Sequence, residues 1–253
     1  DARLRGDGDH VDVTGGWHDA GDLRKWMSTT PPVVMGLVDA QEQLDPDWRN
    51  AGCEWPALLQ EARWENDYYL KMQDPETGLV WHDTGGGVAG DNTDNHWTDN
   101  EPGTEDDRFI NQRFVPFVQW DWIACQAHVA RAFAGRDAEY SGRCRQAAER
   151  CLDAVGSKPS GEYRVDARAV RAMTAMHRLT GDAAHLERAH AFAGSLLDCQ
   201  CREYSHGQDE VRGFFYVDRS KKRIFKGHGY TAVGPVALAQ LTLADPGSAQ
   251  AER

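Results

Sequence analysis

Two aspartates, Asp19 and Asp22, flank the dipeptide Ala20-Gly21 just before the apolar residue Leu23. At this spacing both carboxylates can converge on one side of a turn. Such a pair can hold and deprotonate a water molecule, and hydrolysis of a glycosidic bond needs that step together with a protonated carboxyl for the leaving oxygen. The alternative is that Asp22 is a helix N-cap and Asp19 its solvated neighbour.

The residues around this pair favour a carbohydrate site. Gly15, Gly16 and Gly21 permit backbone conformations that bring a ligand close to the main chain. Trp17 has a flat apolar ring that can cover the apolar face of a pyranose, although packing in the core is an equally ordinary use of tryptophan. The co-occurrence of these residue types within eight positions indicates a functional loop.

Two long segments break the helical pattern of the chain: residues 1–26 and residues 81–113. Both are rich in Gly, Asp, Asn, His and Trp. Segments of this length without regular structure are uncommon inside a domain unless they are functional or disordered, and disordered segments contain few aromatic residues. We therefore expect the functional site in these two segments.

Elsewhere, apolar residues recur at helical spacing and predict an all-α fold. The predicted helices are Val33–Leu44, Trp55–Gln73, Phe114–Phe133, Ala138–Val155, Val165–Leu179, Ala183–Cys199 and Thr231–Leu243. Strand-like alternation is scarce, and only Gly213–Phe225 is compatible with a short hairpin.

The connectors Ala134–Asp137 and Thr180–Asp182 each join two predicted helices and lie about 46 residues apart. This recurrence is typical of stacked helical hairpins in a toroid or solenoid. Two unrelated hairpins that use Gly to end one helix and Asp to begin the next explain the pattern equally well.

The formal charge of −12 and the pI near 5.2 argue against a nucleic-acid partner, because such partners require a basic face. No stretch approaches the roughly 20 apolar residues that span a bilayer, so we expect no membrane partner. The six cysteines are expected to be buried free thiols, since they show no paired zinc-ligand spacing. The cellular compartment is not predicted.

The stretch Val11–Asp22, VDVTGGWHDAGD, resembles the signature of glycoside hydrolase family 9, which typically reads DVSGGWYDAGD. Asp1-Ala2-Arg3 resembles the DDAR sequence that precedes this signature in the family. The second segment, with Trp81-His82, Gly90-Asp91 and Asp94-Asn95-His96-Trp97, resembles the next loop of the family.

This resemblance implies an (α/α)6 toroid and hydrolysis of β-1,4-linked glucans with inversion. By resemblance, Asp22 is the catalytic base and Asp19 the partner that holds the water. Trp17, His96 and Trp97 match positions that line the sugar subsites. His18 replaces the usual Tyr and is included as a sugar contact.

The sequence departs from the family pattern in three ways. His18 for Tyr and Asn95 for Asp leave the sugar open between glucose and glucosamine, and the acidic charge favours a cationic sugar. No segment near Glu203, Glu210 or Glu252 resembles the motif of the catalytic acid. We therefore expect residues 1–253 to be a single-domain fragment of the catalytic toroid that lacks full activity.

No cofactor is expected to be required. Relatives in the family often bind calcium, and the carboxylates between Asp91 and Asp107 offer oxygen ligands, but a solvated acidic loop is the favoured interpretation because the segment lacks EF-hand spacing. The expected partner is an oligosaccharide or polysaccharide substrate. The alternative function is a non-catalytic carbohydrate-binding helical domain.

Overall fold

A computed structural model describes residues 2–4, 10–21, 23–44, 56–86, 99, 101, 104, 108–203, 205–206, 209–227 and 230–248. The chain divides into two compact units, residues 1–155 and residues 156–253. The expectation of a single domain over the whole chain stays a prediction.

In the described part of the first unit there are four α-helices, each beginning and ending within two residues of the predicted bounds: α1 (Pro31–Leu44), α2 (Ala57–Lys71), α3 (Pro116–Phe133) and α4 (Ala138–Val155). Proline lies in the first turn of α1 and α3, where no backbone N–H is needed. Helix α3 forms the core, because every residue from Val118 to Ala130 is buried. It packs against both α1 and α4.

The first unit also contains a five-stranded sheet that the sequence did not predict. Its strands are β1 (Ala2–Leu4), β2 (His10–Val11), β3 (Lys25–Trp26), β4 (Asp83–Gly86) and β5 (Phe109–Asn111), in the order β2-β1-β5-β4-β3. The pair β1/β5 is parallel, with Arg3 opposite Phe109, and the other pairs are antiparallel. The two segments expected to hold the site are thus joined by backbone pairing.

Among the residues of the second unit that the structure describes, three α-helices are formed: α5 (Tyr163–Thr180), α6 (Ala183–Asp198) and α7 (Val233–Ala244). Helix α5 packs against α6 and α7. A two-residue pair, β6 (Ser205–His206) and β7 (Asp209–Glu210), follows α6. The predicted hairpin over Gly213–Phe225 is confirmed in outline, since Tyr216 and Ile224 form an antiparallel bridge within it.

Both predicted connectors join helices that pack against each other, α3 with α4 and α5 with α6. In both, the aspartate begins the second helix: Asp137 accepts a hydrogen bond of 3.0 Å from the backbone N–H of Tyr140, and Asp182 accepts one of 2.9 Å from that of Ala184. The helical-hairpin prediction is therefore correct at the level of local structure.

The cysteines at 125, 144, 151, 199 and 201 are buried free thiols, as expected, and Cys53 lies outside the described residues. Burial raises the pKa of Cys144 and of Cys151 to about 12, so both stay protonated at neutral pH. Within the described ranges, every helix is too short or too polar to cross a membrane.

Candidate active site

Three of the six predicted site residues lie in the described part of the chain. Trp17, His18 and Asp19 occupy the bend between β2 and β3; Trp17 is half-buried, whereas His18 and Asp19 are exposed. The other three, Asp22, His96 and Trp97, lie outside the described residues, as do Asn95 and His228. Their predicted roles stay predictions.

A backbone hydrogen bond closes the bend that bears Asp19. The backbone N–H of Asp19 donates to the carbonyl oxygen of Arg24 at 3.3 Å, so the chain turns back just before β3. The next strand in the sheet approaches this point closely: a Cβ atom on Gly85 would lie 2.6 Å from the carbonyl oxygen of Leu23 and 2.8 Å from the Cα of Arg24. Only glycine therefore fits at position 85 of β4.

A buried polar network anchors the end of this turn. Both the Nε and a terminal nitrogen of Arg24 donate to Oδ1 of Asp83, at 3.0 and 2.8 Å. The other oxygen of Asp83 contacts Nδ1 of His82 and accepts a hydrogen bond of 3.0 Å from Asn111. The Arg24 guanidinium also stacks 3.9 Å from the centre of the Trp26 ring. These contacts connect strands β3, β4 and β5 next to the turn.

Helix α2 anchors the beginning of the turn through two glutamates. Oε2 of Glu65 accepts the backbone N–H of Trp17, and Oε1 of Glu61 accepts the indole N–H of the same residue at 2.6 Å. Glu65 is completely buried, and this burial raises the pKa of its carboxyl. Gly16 makes the approach possible, since a Cβ there would lie 2.8 Å from Oε2 of Glu65.

Lys25 is buried next to the backbone of Val13 and Gly15. Its ammonium donates to the carbonyl oxygens of Gly15 and Val13, and it lies 4.7 Å from the centre of the Tyr68 ring. Burial, with a further contribution from the positive charge of Arg108, lowers the pKa of Lys25 to about 8. The backbone of the glycine pair is therefore held by a cation from β3.

A second lysine fixes the residues that precede Gly15 and Gly16. Lys71, at the end of α2, forms a 3.0 Å ion pair with Asp12 and donates to the backbone oxygen of Thr14 at 3.0 Å. Asp12 also accepts hydrogen bonds from the N–H and hydroxyl of Thr14. These bonds hold the pKa of Asp12 well below its usual range.

Two adjoining cavities open beside the bend. One, of about 250 Å³, is lined by residues that include His18, Lys25, Thr84 and Arg108. The other, of about 580 Å³, runs along α2 and is lined by residues that include Asp67, Lys71 and Arg143. Trp64, which is 55% exposed, lines both. An exposed aromatic ring and several polar side chains therefore line the space next to the bend.

Among the residues that the structure describes, no three His, Cys, Asp or Glu side chains are grouped to hold a metal ion. Most of the acidic segment between Asp91 and Asp107 lies outside those residues, so calcium binding there stays a prediction.

The sequence did not single out Glu61, Glu65, Lys25, Arg24 or Asp83 as parts of the site. One signal was present for Glu65: it lies at helical spacing from Ala62 and Tyr69, on the buried side of α2. A carboxylate on the buried side of a helix indicates a specific buried partner. The pairing of Arg24 with Asp83 had no local signal, because the two residues are 59 positions apart.

Comparisons with known proteins give the context for this geometry. Residues 1–213 match the family described as Glycosyl hydrolase family 9. Endoglucanase D of Acetivibrio thermocellus is 30% identical over 168 aligned residues, and the alignment covers 60% of this chain and 24% of that protein. A cellodextrinase of Butyrivibrio fibrisolvens is 37% identical over 82 residues, which cover 28% of this chain and 15% of the relative.

Solved structures confirm the fold. An endoglucanase from the termite Nasutitermes takasagoensis matches with a TM-score of 0.65 at 17% identity, over 96% of this chain and 53% of that one. A thermostable endoglucanase from Alicyclobacillus acidocaldarius matches with a TM-score of 0.63 at 24% identity, over 76% and 40%. These neighbours are (α/α)6 barrels, so the expected all-α class is correct.

The chain spans about a quarter or less of these two curated relatives and about half or less of these two solved structures. The family match nevertheless covers most of the chain, and it includes the whole segment that carries the signature. On this match, the chain belongs to glycosyl hydrolase family 9.

Proposed function

We propose that this chain provides the water-activating half of an inverting hydrolase for β-1,4-linked glucans or glucosamine oligosaccharides. Asp22 is the general base, and Asp19 helps to hold the attacking water. Trp17, His18, His96 and Trp97 contact the sugar. The names of the relatives, endoglucanase and cellodextrinase, support a glucan substrate.

The observation that carries the proposal is the anchoring of the turn on both sides. Trp17 is bound to α2 before the turn, and Arg24 is bound to Asp83 after it, while Asp19 remains exposed between them. A carboxylate that activates water must be held near its working geometry and remain open to solvent and substrate. A turn used only to connect two strands has no need of a buried ion pair at one end.

In the inverting mechanism, the base removes a proton from a water molecule that attacks the anomeric carbon from one face of the sugar. A carboxylic acid on the other face protonates the leaving oxygen. The residues of this chain support the first step. The acid is not assigned, since no glutamate of the chain resembles the motif for it.

The test is the hydrolysis of cello-oligosaccharides and of chito-oligosaccharides, acetylated and not, by this chain and by a version extended with the sequence that flanks it in its gene. Activity that is lost in Asp22→Ala and retained in Asp153→Ala, an exposed aspartate on α4, would support the proposal. Proton NMR of the first product should show the α-anomer. Retention of the β-anomer would contradict inversion.

The non-catalytic alternative has its own outcome in the same experiment. If both versions bind the oligosaccharides and neither hydrolyses any of them, the chain is a carbohydrate-binding domain. If Asp22→Ala leaves the turnover unchanged, the base is a different residue.

A further inference from the structure

Helix α2 presents two carboxylates to a single residue of the site. Glu61 and Glu65 are four positions apart and therefore lie on one face of the helix, one turn from each other. Glu65 accepts the backbone N–H of Trp17, and Glu61 accepts its indole N–H at 2.6 Å. Two like charges at this spacing destabilise an isolated helix. The hydrogen bonds to Trp17 therefore offset the repulsion between the two carboxylates.

The two glutamates differ in burial and in the part of Trp17 that they bind. Glu65 is completely buried and fixes the main chain, whereas Glu61 is exposed and accepts the N–H of the ring. A backbone bond alone leaves the two side-chain torsions of tryptophan to the surrounding packing, which is incomplete because Trp17 is half-buried. The bond from the indole to Glu61 therefore sets the plane of the ring.

The plane of the ring matters for binding a sugar. A pyranose is recognised by an aromatic side chain through face-to-face contact, which requires the ring plane to match the sugar plane. Fixing a side chain that is otherwise free weakens binding by about two- to tenfold. A ring that is already held avoids that cost.

We infer that Glu61 is a positioning residue for the sugar subsite, which orients the indole of Trp17 for stacking through its hydrogen bond to the indole N–H. The inference rests on the proposed function only for the nature of the ligand. The geometry of the Glu61–Trp17 pair stands apart from it.

The experiment separates these two parts. The protein is labelled with 5-fluorotryptophan, and the Trp17 signal is assigned in the ¹⁹F NMR spectrum by its loss in Trp17→Phe. The affinity for cellotetraose and for chitosan tetrasaccharide is measured by calorimetry, with Asp22→Asn in every protein to prevent turnover. The variants are Glu61→Ala, Glu61→Gln and, as the matched control, Glu187→Ala, an exposed glutamate on α6.

In Glu61→Ala, the Trp17 signal should shift and the affinity for the bound tetrasaccharide should fall by about two- to tenfold, because the ring must then be fixed when the sugar binds. Glu61→Gln keeps an acceptor oxygen and should recover most of the affinity. Glu187→Ala should leave both measurements unchanged. Recovery by glutamine separates orientation of the ring from any general effect of charge.

An unchanged Trp17 signal in Glu61→Ala would overturn the inference. A shifted signal with unchanged affinity would also overturn it, since the ring orientation would then not serve sugar binding. If the parent protein binds neither tetrasaccharide while the signal still responds to Glu61→Ala, the proposed function fails and the Glu61–Trp17 geometry is supported.

Discussion

Arg24 and Asp83 form a buried ion pair in which two guanidinium nitrogens donate to one carboxylate oxygen. Both side chains are almost completely excluded from solvent. The pair joins the strand that follows the bend at Asp19 to the second segment of the site, so its loss should affect stability and site geometry together.

We expect Asp83→Ala to lower the free energy of unfolding by about 3–5 kcal/mol, because it leaves the charge of Arg24 buried without its partner. Urea denaturation measures the change. The double variant Arg24→Met/Asp83→Leu should recover part of the loss, since it removes both charges. If Asp83→Ala costs no more than the exposed control Asp153→Ala, the ion pair does not stabilise the unit.

Lys25 should make stability rise with pH. Its pKa is lowered from 10.5 to about 8 in the folded protein, so between these values the unfolded state binds more protons, and the free energy of unfolding increases as pH rises. Relative to Lys25→Met, the parent protein should gain up to about 1.4 kcal/mol per pH unit in this window. Denaturation at pH 8 and pH 9.5 checks the slope; equal slopes for the two proteins would contradict the assignment.

Glu65 should have the opposite effect at acidic pH. Burial raises its pKa above the ordinary 4.5, so as pH rises from 4.5 the unfolded state loses this proton first, and the folded protein is penalised for the buried charge. Glu65→Gln keeps an acceptor for the N–H of Trp17. It should therefore raise the melting temperature at pH 7 and have little effect below pH 4, whereas Glu187→Gln should have no effect at either pH.

Gly16→Ala should destabilise the site by about 2 kcal/mol or more. Its φ of 72° is strained for a residue with a Cβ, and the added atom would lie 2.8 Å from both Glu65 and Tyr68. Gly142→Ala is the control, because position 142 lies inside α4 with no atoms within 4 Å of the added Cβ. That change should stabilise the protein by about 0.5–1 kcal/mol. A similar effect of both variants on the melting temperature would show that position 16 is not crowded.

The helices were predictable because their information is local. Each one repeats apolar residues at helical spacing over three turns or more, and α4 was placed at its observed bounds, Ala138–Val155. The strands were missed because each has only two to four residues, too few to show alternation. Their stability comes from partners distant in the sequence, such as Arg3 with Phe109.

The site was predictable only in part. The signature identified Trp17, His18 and Asp19, which the structure places on one bend. The supporting residues were not apparent, because the role of Glu61 or Asp83 depends on what the fold brings next to it rather than on its neighbours in sequence. A glutamate on the exposed face of a helix, taken alone, predicts only a side chain in contact with solvent.

The central position of β5 has a consequence for folding during synthesis. Strand β5 lies between β1 and β4 and ends at residue 111, so the sheet lacks its middle strand until the ribosome has passed that point. Helices α1 and α2 are complete earlier and pack against each other. Pairing of β1 with β5 closes a loop of more than 100 residues, which slows formation. Helices α1 and α2 should therefore form before the bend that bears Asp19 becomes fixed.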